Sequence, residues 1–338
     1  GMMTMISVLL ALLSAGAAGA LIRESANSIA AFKRSFLPSE SVVLLGNSNF
    51  DKIVECNGVF IDKTLFIKEF VKCKKEVSVI LRPRRFGKSS NLSMLNSFLS
   101  INPTSDAKEI RSFFDRCRIG EDLDFMSRNF RQHPVIWLNL KDCAGNSWQE
   151  MFNNLWICVR DMYLPHLEQL SDAPALRQFD FHSGTAPSST LVQWSLKLLT
   201  EMLYFKHGRK RVIVLVDEYD APLNCAFRKG FYDEASSFFG IFFSRALKDN
   251  NYLKQACLMG IVEVRGAEIL STLNNIHVCS VDKVDFSEHF GFSVQEVSVF
   301  FEDKNDNRIA SVLEWYDGYV IGSTTVINPW SFLNFIEL

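Results

Sequence analysis

The feature that most constrains this chain is a strand-like run that leads through a short loop directly into a helix-like segment. Residues 77–82 (VSVILR) are mostly apolar and short enough for a buried strand, and residues 83–87 (PRRFG) interrupt the run. From Lys88 to Leu99, apolar residues recur on one helical stripe. A helix that begins here points its first amides and the positive end of its dipole beyond the loop. The order therefore predicts a loop that binds phosphate.

The residue types in the loop fit that chemistry. Gly87 lets the backbone approach an anion closely, Lys88 can reach terminal phosphates, and the Ser89 hydroxyl can bind Mg²⁺. In the usual pattern a glycine stands five positions before Gly87, and here Arg82 takes that place. We predict that the phosphates of a nucleotide lie against a run of six residues: Arg85, Phe86, Gly87, Lys88, Ser89 and Ser90.

A second constraint is an apolar run that ends in two carboxylates. Residues 212–217 read VIVLVD, and Glu218 follows. A strand that is apolar on both faces belongs in the middle of a parallel sheet covered by helices, and such sheets bind ligands at the carboxyl ends of their strands. We therefore predict that Asp217 helps to hold Mg²⁺ and that Glu218, together with Lys88, is catalytic, with Glu218 polarising the attacking water. The alternative is a solvated acidic pair that only caps a core strand.

The remaining pattern predicts an α/β fold in which a parallel sheet is flanked by helices, because strand-like and helix-like segments alternate. The predicted strands span residues 77–82, 135–140, 212–217, 256–262 and 277–281. The predicted helices span residues 26–37, 62–72, 88–99, 148–163, 190–205 and 235–249, and residues 171–189 are predicted to form a surface loop.

Eight stretches, in order along the chain, carry a resemblance to a known family: FIDKT (60–64), RPRRFGKS (82–89), NLSML (91–95), PVIWL (134–138), VDEYDAPL (216–223), ALKDNNYLK (246–254), WYDGY (315–319) and NPWS (328–331). Together they resemble the AAA-ATPase-like family, whose members often carry a PD-(D/E)xK nuclease-like domain after the ATPase. The resemblance implies a P-loop NTPase fold with Walker A and Walker B motifs, and MgATP as the ligand. In that family an RPRRFGK loop is usual, so Arg82 in place of the first glycine agrees with the family's pattern. Asp62 and Lys63 match an entry segment near the adenine side, although Asp62 is equally well explained as a helix cap.

The resemblance also suggests three regions. Residues 1–39 would be an apolar N-terminal segment and a lead-in helix, residues 40–285 the P-loop ATPase core, and residues 286–338 a small helical lid that is incomplete at its C-terminal end. The last region is rich in aromatic residues, which favours a well-packed lid over a surface that awaits a protein partner or self-association. The nuclease-like region of the family would follow after this point.

Two departures from the family's pattern concern hydrolysis. After the fourth strand the family commonly has Thr-Gly-Ile-x-Arg, whereas this chain has Met259 and Glu263 in the threonine and arginine positions. Methionine cannot donate a hydrogen bond to a γ-phosphate, and a carboxylate cannot stabilise its charge. Arg265, or an arginine from a neighbouring subunit, would be needed instead. The sequence therefore predicts MgATP binding with ATP hydrolysis, and leaves open a hydrolysis-impaired nucleotide switch or scaffold.

Composition narrows the choice of partners and compartment. The formal net charge of −2 offers no electrostatic reason for direct nucleic-acid binding, and the phosphate loop accounts for the basic cluster at residues 82–85. The 8 cysteines contain no Cys-x-x-Cys pair, and the 6 histidines have no spacing typical of a metal site or triad, which favours reduced core thiols and an intracellular location.

The N-terminal segment argues against an intracellular location. Residues 5–22 are uncharged and mostly apolar, and Ala18-Gly19-Ala20 resembles a small-residue cleavage site. A signal peptide, a short membrane anchor and an upstream extension of the gene model all remain open for this segment.

Overall fold

The computed structural model of the chain describes residues 43–101, 106–181, 186–263, 276–298 and 318–337. In the first half of the chain the helices are α1 (Phe50–Glu55), α2 (Leu65–Lys72), α3 (Lys88–Leu99), α4 (Ala107–Arg116), α5 (Leu123–Asn129), α6 (Trp148–Tyr163) and α7 (Ser189–Lys206), and the strands are β1 (Val77–Leu81) and β2 (Val135–Asn139). Then follow β3 (Val212–Asp217), α8 (Ala221–Lys229), α9 (Tyr232–Leu247), β4 (Leu253–Gly260) and β5 (Ile276–Cys279). The last described elements are β6 (Phe292–Ser293), α10 (Val294–Ser298), β7 (Tyr319–Ile321), β8 (Thr324–Ile327) and α11 (Pro329–Glu337).

The first five strands form one sheet in the order β2-β3-β4-β1-β5, and every pair in it is parallel. This confirms the predicted α/β class with a parallel sheet flanked by helices. The register brings the ends of the strands to one edge: Leu81 pairs with Gly260, and Asn139 pairs with Asp217. The loops that follow β1, β2, β3 and β4 therefore meet at one edge of the sheet.

Both faces of the sheet are covered, as the apolar character of β1 and β3 predicted. Every residue of these two strands is buried. In β3, Val212, Val214 and Val216 pack in a core with α6, α7 and α9, while Ile213 and Leu215 pack in a second core with α2, α3 and α4. Successive side chains of a strand point to opposite faces, so a strand with two cores must be apolar throughout.

Helices α3 and α6 begin and end at the predicted residues. Strand β4 differs, because it spans Leu253–Gly260 rather than residues 256–262. The reason lies in Asp220, whose carboxylate accepts hydrogen bonds from the amides of Ile261 and Val262, both at 3.1 Å. These amides leave the strand ladder for a side chain, so the strand ends two residues early.

The prediction of a purely helical C-terminal lid is wrong for the described residues. Strands β6, β8 and β7 form a three-stranded antiparallel sheet, with α10 between β6 and β7 in sequence and α11 after β8. Strands β7 and β8 are rich in β-branched residues, and Gly322 and Ser323 join them. Gly322 has a φ of +58°, a conformation that glycine adopts without strain, and two-residue hairpin loops favour glycine for this reason. This hairpin signal lies within the region for which a helical lid was predicted.

Several sequence predictions lie outside the described residues: the apolar segment 5–22, the helix over residues 26–37, and Arg265. Within the described residues, no helix is both long and apolar enough to cross a membrane.

Candidate functional site

The loop between β1 and α3 has the backbone shape that an anion site needs. Gly87 is the N-cap of α3 with a φ of +78°, and nothing lies within 4 Å of where a β-carbon would stand. Arg85 also has a positive φ, of +68°. The first four amides of a helix have no partner within that helix. The loop therefore leaves open space in front of the first turn of α3, at the edge of the sheet where ligands bind.

The side chain of Lys88 is buried against the backbone of this loop. It is 8 % exposed, and its ammonium group donates hydrogen bonds to the carbonyls of Arg82 (3.0 Å) and Pro83 (2.8 Å). Burial lowers the pKa of Lys88, and the nearby carboxylates of Asp217 and Glu218 partly oppose that change. Both hydrogen bonds go to neutral carbonyls rather than to a carboxylate, so no ion pair at these contacts competes with an anionic ligand.

The predicted Mg²⁺ ligands Ser89 and Asp217 are brought into contact. The Ser89 hydroxyl lies beside the Asp217 carboxylate, which accepts a hydrogen bond from the amide of Glu218 at 3.1 Å. Asp217 is 2 % exposed, and burial raises its pKa, although the Ser89 hydroxyl and the Glu218 amide lower it. The segments that carry these two side chains are separated by more than a hundred residues in sequence, and the sheet places them side by side.

The described residues contain no group of three or more His, Cys, Asp or Glu side chains that would hold a metal ion on their own. Magnesium in nucleotide sites does not need such a group, because it keeps several waters and takes phosphate oxygens with one or two protein ligands. A hydroxyl and a carboxylate in contact, beside a loop with space for phosphate, fit that mode of binding.

Glu218 occupies an unusual backbone conformation. Its φ of +52° is rare for residues other than glycine and costs about 1 kcal/mol or more. Burial raises the pKa of this carboxyl, and the charge of Asp217 raises it further. Strain of this kind persists where the surroundings enforce it, and here it turns the chain directly after β3.

Ser89, Asp217 and Glu218 form one end of a cavity of 450 Å³. Serine and asparagine side chains of α3 line one wall, and the end of β2 lines another, with Asn139 and Lys141. The cavity has room for water and for a small polar group next to the predicted catalytic carboxylate.

The side chains of two arginines of the loop contact other parts of the protein. Arg82 is fully buried and donates hydrogen bonds to the carbonyls of Leu81 (2.8 Å), Cys279 (2.7 Å) and Asp285 (2.9 Å), so it ties the end of β1 to the end of β5. Burial lowers its pKa to about 10. The guanidinium of Arg85 lies 3.7 Å from the centre of the Trp330 ring. The predicted contact of Arg85 with phosphate therefore concerns its backbone amide.

The side chain of Phe86 is likewise a packing residue. It is buried against Ile321 and Val326 of the small C-terminal sheet, and its ring meets that of Tyr319 edge to face at 4.9 Å. Asn328 adds a hydrogen bond to the carbonyl of Arg84 at 3.4 Å. The loop between β1 and α3 is thus held by β1 and by contacts with the C-terminal sheet and Asn328.

The residues that departed from the family's pattern lie at the end of β4. Met259 is fully buried and Glu263 is exposed. The turn between them is fixed by the DEYD stretch: Tyr219 donates a hydrogen bond from its hydroxyl to the carbonyl of Val262 at 3.0 Å, and Asp220 accepts the two amides described above. Asp220 was part of a matched stretch, but its role in shaping this turn was not evident from the sequence.

Asp62 is not the N-cap of α2, because Thr64 takes that position and no side chain makes a cap hydrogen bond there. The buried Asp62 carboxylate instead accepts hydrogen bonds from the amide of Thr64 at 2.8 Å and from the amide of Arg118 at 2.7 Å, so it ties the start of α2 to the turn after α4. Lys63 pairs with Glu296 at 2.7 Å. The location of this segment near an adenine remains a prediction.

Sequence reasoning missed Asn139 and Lys141. The amide of Leu140 donates to the carbonyl of Asp217 at 3.0 Å, and the amide of Lys141 donates to the Asn139 side chain at 2.9 Å. The available signal was their position, because polar residues that directly follow a parallel strand lie at the ligand-binding edge.

Comparison with known families identifies the class of protein to which this fold belongs. The family described as "Predicted AAA-ATPase" matches residues 44–270, so the chain belongs to the AAA-ATPase-like family. Among individual proteins, it is similar to an "Uncharacterized protein in vnfD 5'region" of Azotobacter chroococcum mcd 1, with 24 % identity over 299 residues. The match covers 86 % of this chain and 50 % of the relative, so the chain spans about half the length of that protein.

Proposed function

We propose that this chain binds MgATP and hydrolyses it to ADP and phosphate. The observation that carries the proposal is the arrangement of Ser89, Asp217 and Glu218 on one cavity, which brings the start of α3 to the end of β3 next to the buried Lys88. Structural salt networks also bring charges together, but they do not need an open glycine loop at a helix N-terminus.

Each of these residues has one role in the proposal. The amides of residues 85–90 and the ammonium group of Lys88 bind the phosphates, and Lys88 offsets the charge on the β- and γ-phosphates. Ser89 and Asp217 hold Mg²⁺, which when bound neutralises charge on the phosphate oxygens. Glu218 orients a water molecule and takes its proton, and its raised pKa brings it closer to that of an effective base at neutral pH.

The substitution Lys88→Ala tests nucleotide binding. We expect most of the affinity for ATP to be lost, by about 10²-fold, because two or more charge-assisted hydrogen bonds to phosphate disappear. The measurement is calorimetric titration of residues 40–338 with MgATP. Lys210→Ala is the matched control, because Lys210 is an exposed lysine just before β3 and so lies near the opposite edge of the sheet. Unchanged ATP affinity in a folded Lys88→Ala variant contradicts the proposal.

A hydrolysis-impaired switch or scaffold is the second candidate. Met259 and Glu263 favour it, because within the described residues the end of β4 presents no donor or cation in the positions where the family has threonine and arginine. The two candidates differ in one measurement, the rate of phosphate release at saturating MgATP over a range of protein concentrations. Binding without turnover at every concentration supports the switch. Turnover that rises steeply with concentration indicates that a second copy of the chain supplies the missing cation.

A further inference from the structure

Lys141 belongs to the same edge of the sheet as the acidic pair. Strand β2 is the neighbour of β3, with Asn139 in register with Asp217. After this pair the amide of Leu140 donates to the Asp217 carbonyl at 3.0 Å, so the chain is still tied to β3 one residue before Lys141. The Asn139 side chain then accepts the Lys141 amide at 2.9 Å, which fixes the direction in which the chain leaves the strand.

The side chain of Lys141 lies on the wall of the cavity that begins at Ser89, Asp217 and Glu218. In the part of the chain that the structure describes, it is the one lysine or arginine on that wall. Lys141 and Glu218 line the same cavity, so an anion that enters it meets the charge of Lys141 beside the predicted base. Lys141 is exposed, and its long side chain is free to follow an anion that enters the cavity.

Three other cations near the loop are held by other contacts. The ammonium group of Lys88 donates to the carbonyls of Arg82 and Pro83. The guanidinium of Arg82 is buried on backbone carbonyls, and that of Arg85 is stacked on Trp330. Arg84 of the loop is exposed, but among the described lysines and arginines only Lys141 lines the cavity with Glu218. Lys141 is therefore placed to meet the charge that develops on a transferring γ-phosphate.

We propose that Lys141 is a further residue of the nucleotide site, and that it binds the γ-phosphate and so distinguishes a nucleoside triphosphate from a diphosphate. The inference rests on the proposed function. In the reaction the water oxygen forms a bond to the γ-phosphorus, the bond from that phosphorus to the β–γ bridging oxygen breaks, and ADP leaves with the electron pair. Glu218 takes the proton of the water. Lys141 stabilises the charge of the γ-phosphoryl oxygens from the β2 side, a task that the end of β4 has lost.

The test compares affinities for ATP and ADP rather than activity alone. Calorimetric titrations with each nucleotide and Mg²⁺ are made on the parent chain, Lys141→Ala, Lys141→Arg and Lys210→Ala. We expect Lys141→Ala to weaken ATP binding about tenfold, as expected for one charge-assisted hydrogen bond, and to leave ADP binding unchanged. Lys141→Arg should keep the preference for ATP, and Lys210→Ala should bind both nucleotides like the parent.

The outcomes separate this inference from the proposed function. A parent that binds both nucleotides, with the same ratio of affinities in Lys141→Ala, overturns the role of Lys141 and leaves the nucleotide site intact. A parent that binds neither nucleotide overturns both proposals. Equal losses of ATP and ADP affinity in a folded Lys141→Ala variant also overturn the inference, because a residue specific for the γ-phosphate cannot act on ADP. Since Lys141 is exposed, its truncation leaves the core unchanged, and the thermal midpoint checks this.

Discussion

At the residue scale, Glu218 and Asp217 show how neighbouring carboxylates acquire different tasks. Asp217 is 2 % exposed, accepts a hydrogen bond from a backbone amide and has the Ser89 hydroxyl beside it, which suits a fixed ligand. Glu218 is partly exposed and is held in a left-handed backbone conformation. Both have a raised pKa because of burial and both line the cavity, but Glu218 is the more exposed of the two and so is the more accessible to water. The difference in surroundings supports a base at residue 218 and a metal ligand at residue 217.

Glu218→Gln keeps the shape of the side chain and removes its basicity. We expect ATP to bind with the parent's affinity while the rate of phosphate release falls by about 10²-fold or more. Asp217→Asn is the contrasting variant, and it should weaken the part of ATP binding that depends on Mg²⁺. If Glu218→Gln hydrolyses ATP at the parent's rate, another residue must activate the attacking water.

At the scale of elements, the loop between β1 and α3 connects these two elements and packs against the small C-terminal sheet. Strand β1 delivers it, helix α3 leaves it, and the small sheet of β6, β7 and β8 packs against its side through Phe86. Arg85 on Trp330 adds a second contact between the loop and α11. The C-terminal region therefore helps to stabilise the backbone that carries the predicted phosphate contacts.

Phe86→Ala tests this junction through stability. A fully buried phenylalanine that is truncated to alanine costs about 3 kcal/mol or more, because apolar burial is lost and a cavity remains. The control is Phe227→Ala, since Phe227 is 73 % exposed and its loss should change the free energy of unfolding by less than about 0.5 kcal/mol. Urea unfolding of both variants gives the comparison. Equal small losses would show that the C-terminal sheet does not brace the loop.

At the scale of the whole molecule, two histidines link stability to pH. His166 is 8 % exposed next to the cavity, and burial lowers its pKa to about 4, with a smaller contribution from His207. Burial also lowers the pKa of His133 to about 4, and the charges of Lys254 and Lys210 add to the effect. Both groups are therefore neutral in the folded chain at pH values where the unfolded chain would protonate them.

The sign of the effect follows from the depressed pKa. The contribution of His166 to the free energy of unfolding is complete above pH 6.5, the ordinary value, and is lost as the pH falls through about 4. We expect a loss of about 3 kcal/mol over that window from this residue. Urea unfolding of the parent and of His166→Gln at a series of pH values measures it, and the difference between the two curves should shrink as the pH falls. A constant difference would mean that His166 is not held neutral.

The sequence by itself determined the parts of this protein that depend on local order. The apolar runs fixed which segments become buried strands, and Gly87-Lys88-Ser89 after one strand and Asp217-Glu218 after another fixed which residues meet at the ligand-binding edge. Parallel strands must all end at the same side, so these inferences need no knowledge of the strand order.

Only the tertiary structure decided what each polar side chain contacts. It placed the guanidinium of Arg82 on the carbonyls of β5 and that of Arg85 on Trp330, and it brought Lys141 to the cavity beside Glu218. It also formed a C-terminal sheet where a helical lid was predicted. The physical reason is that a hydrogen bond or a ring contact depends on distances between segments far apart in sequence, and local pattern carries no information about those distances.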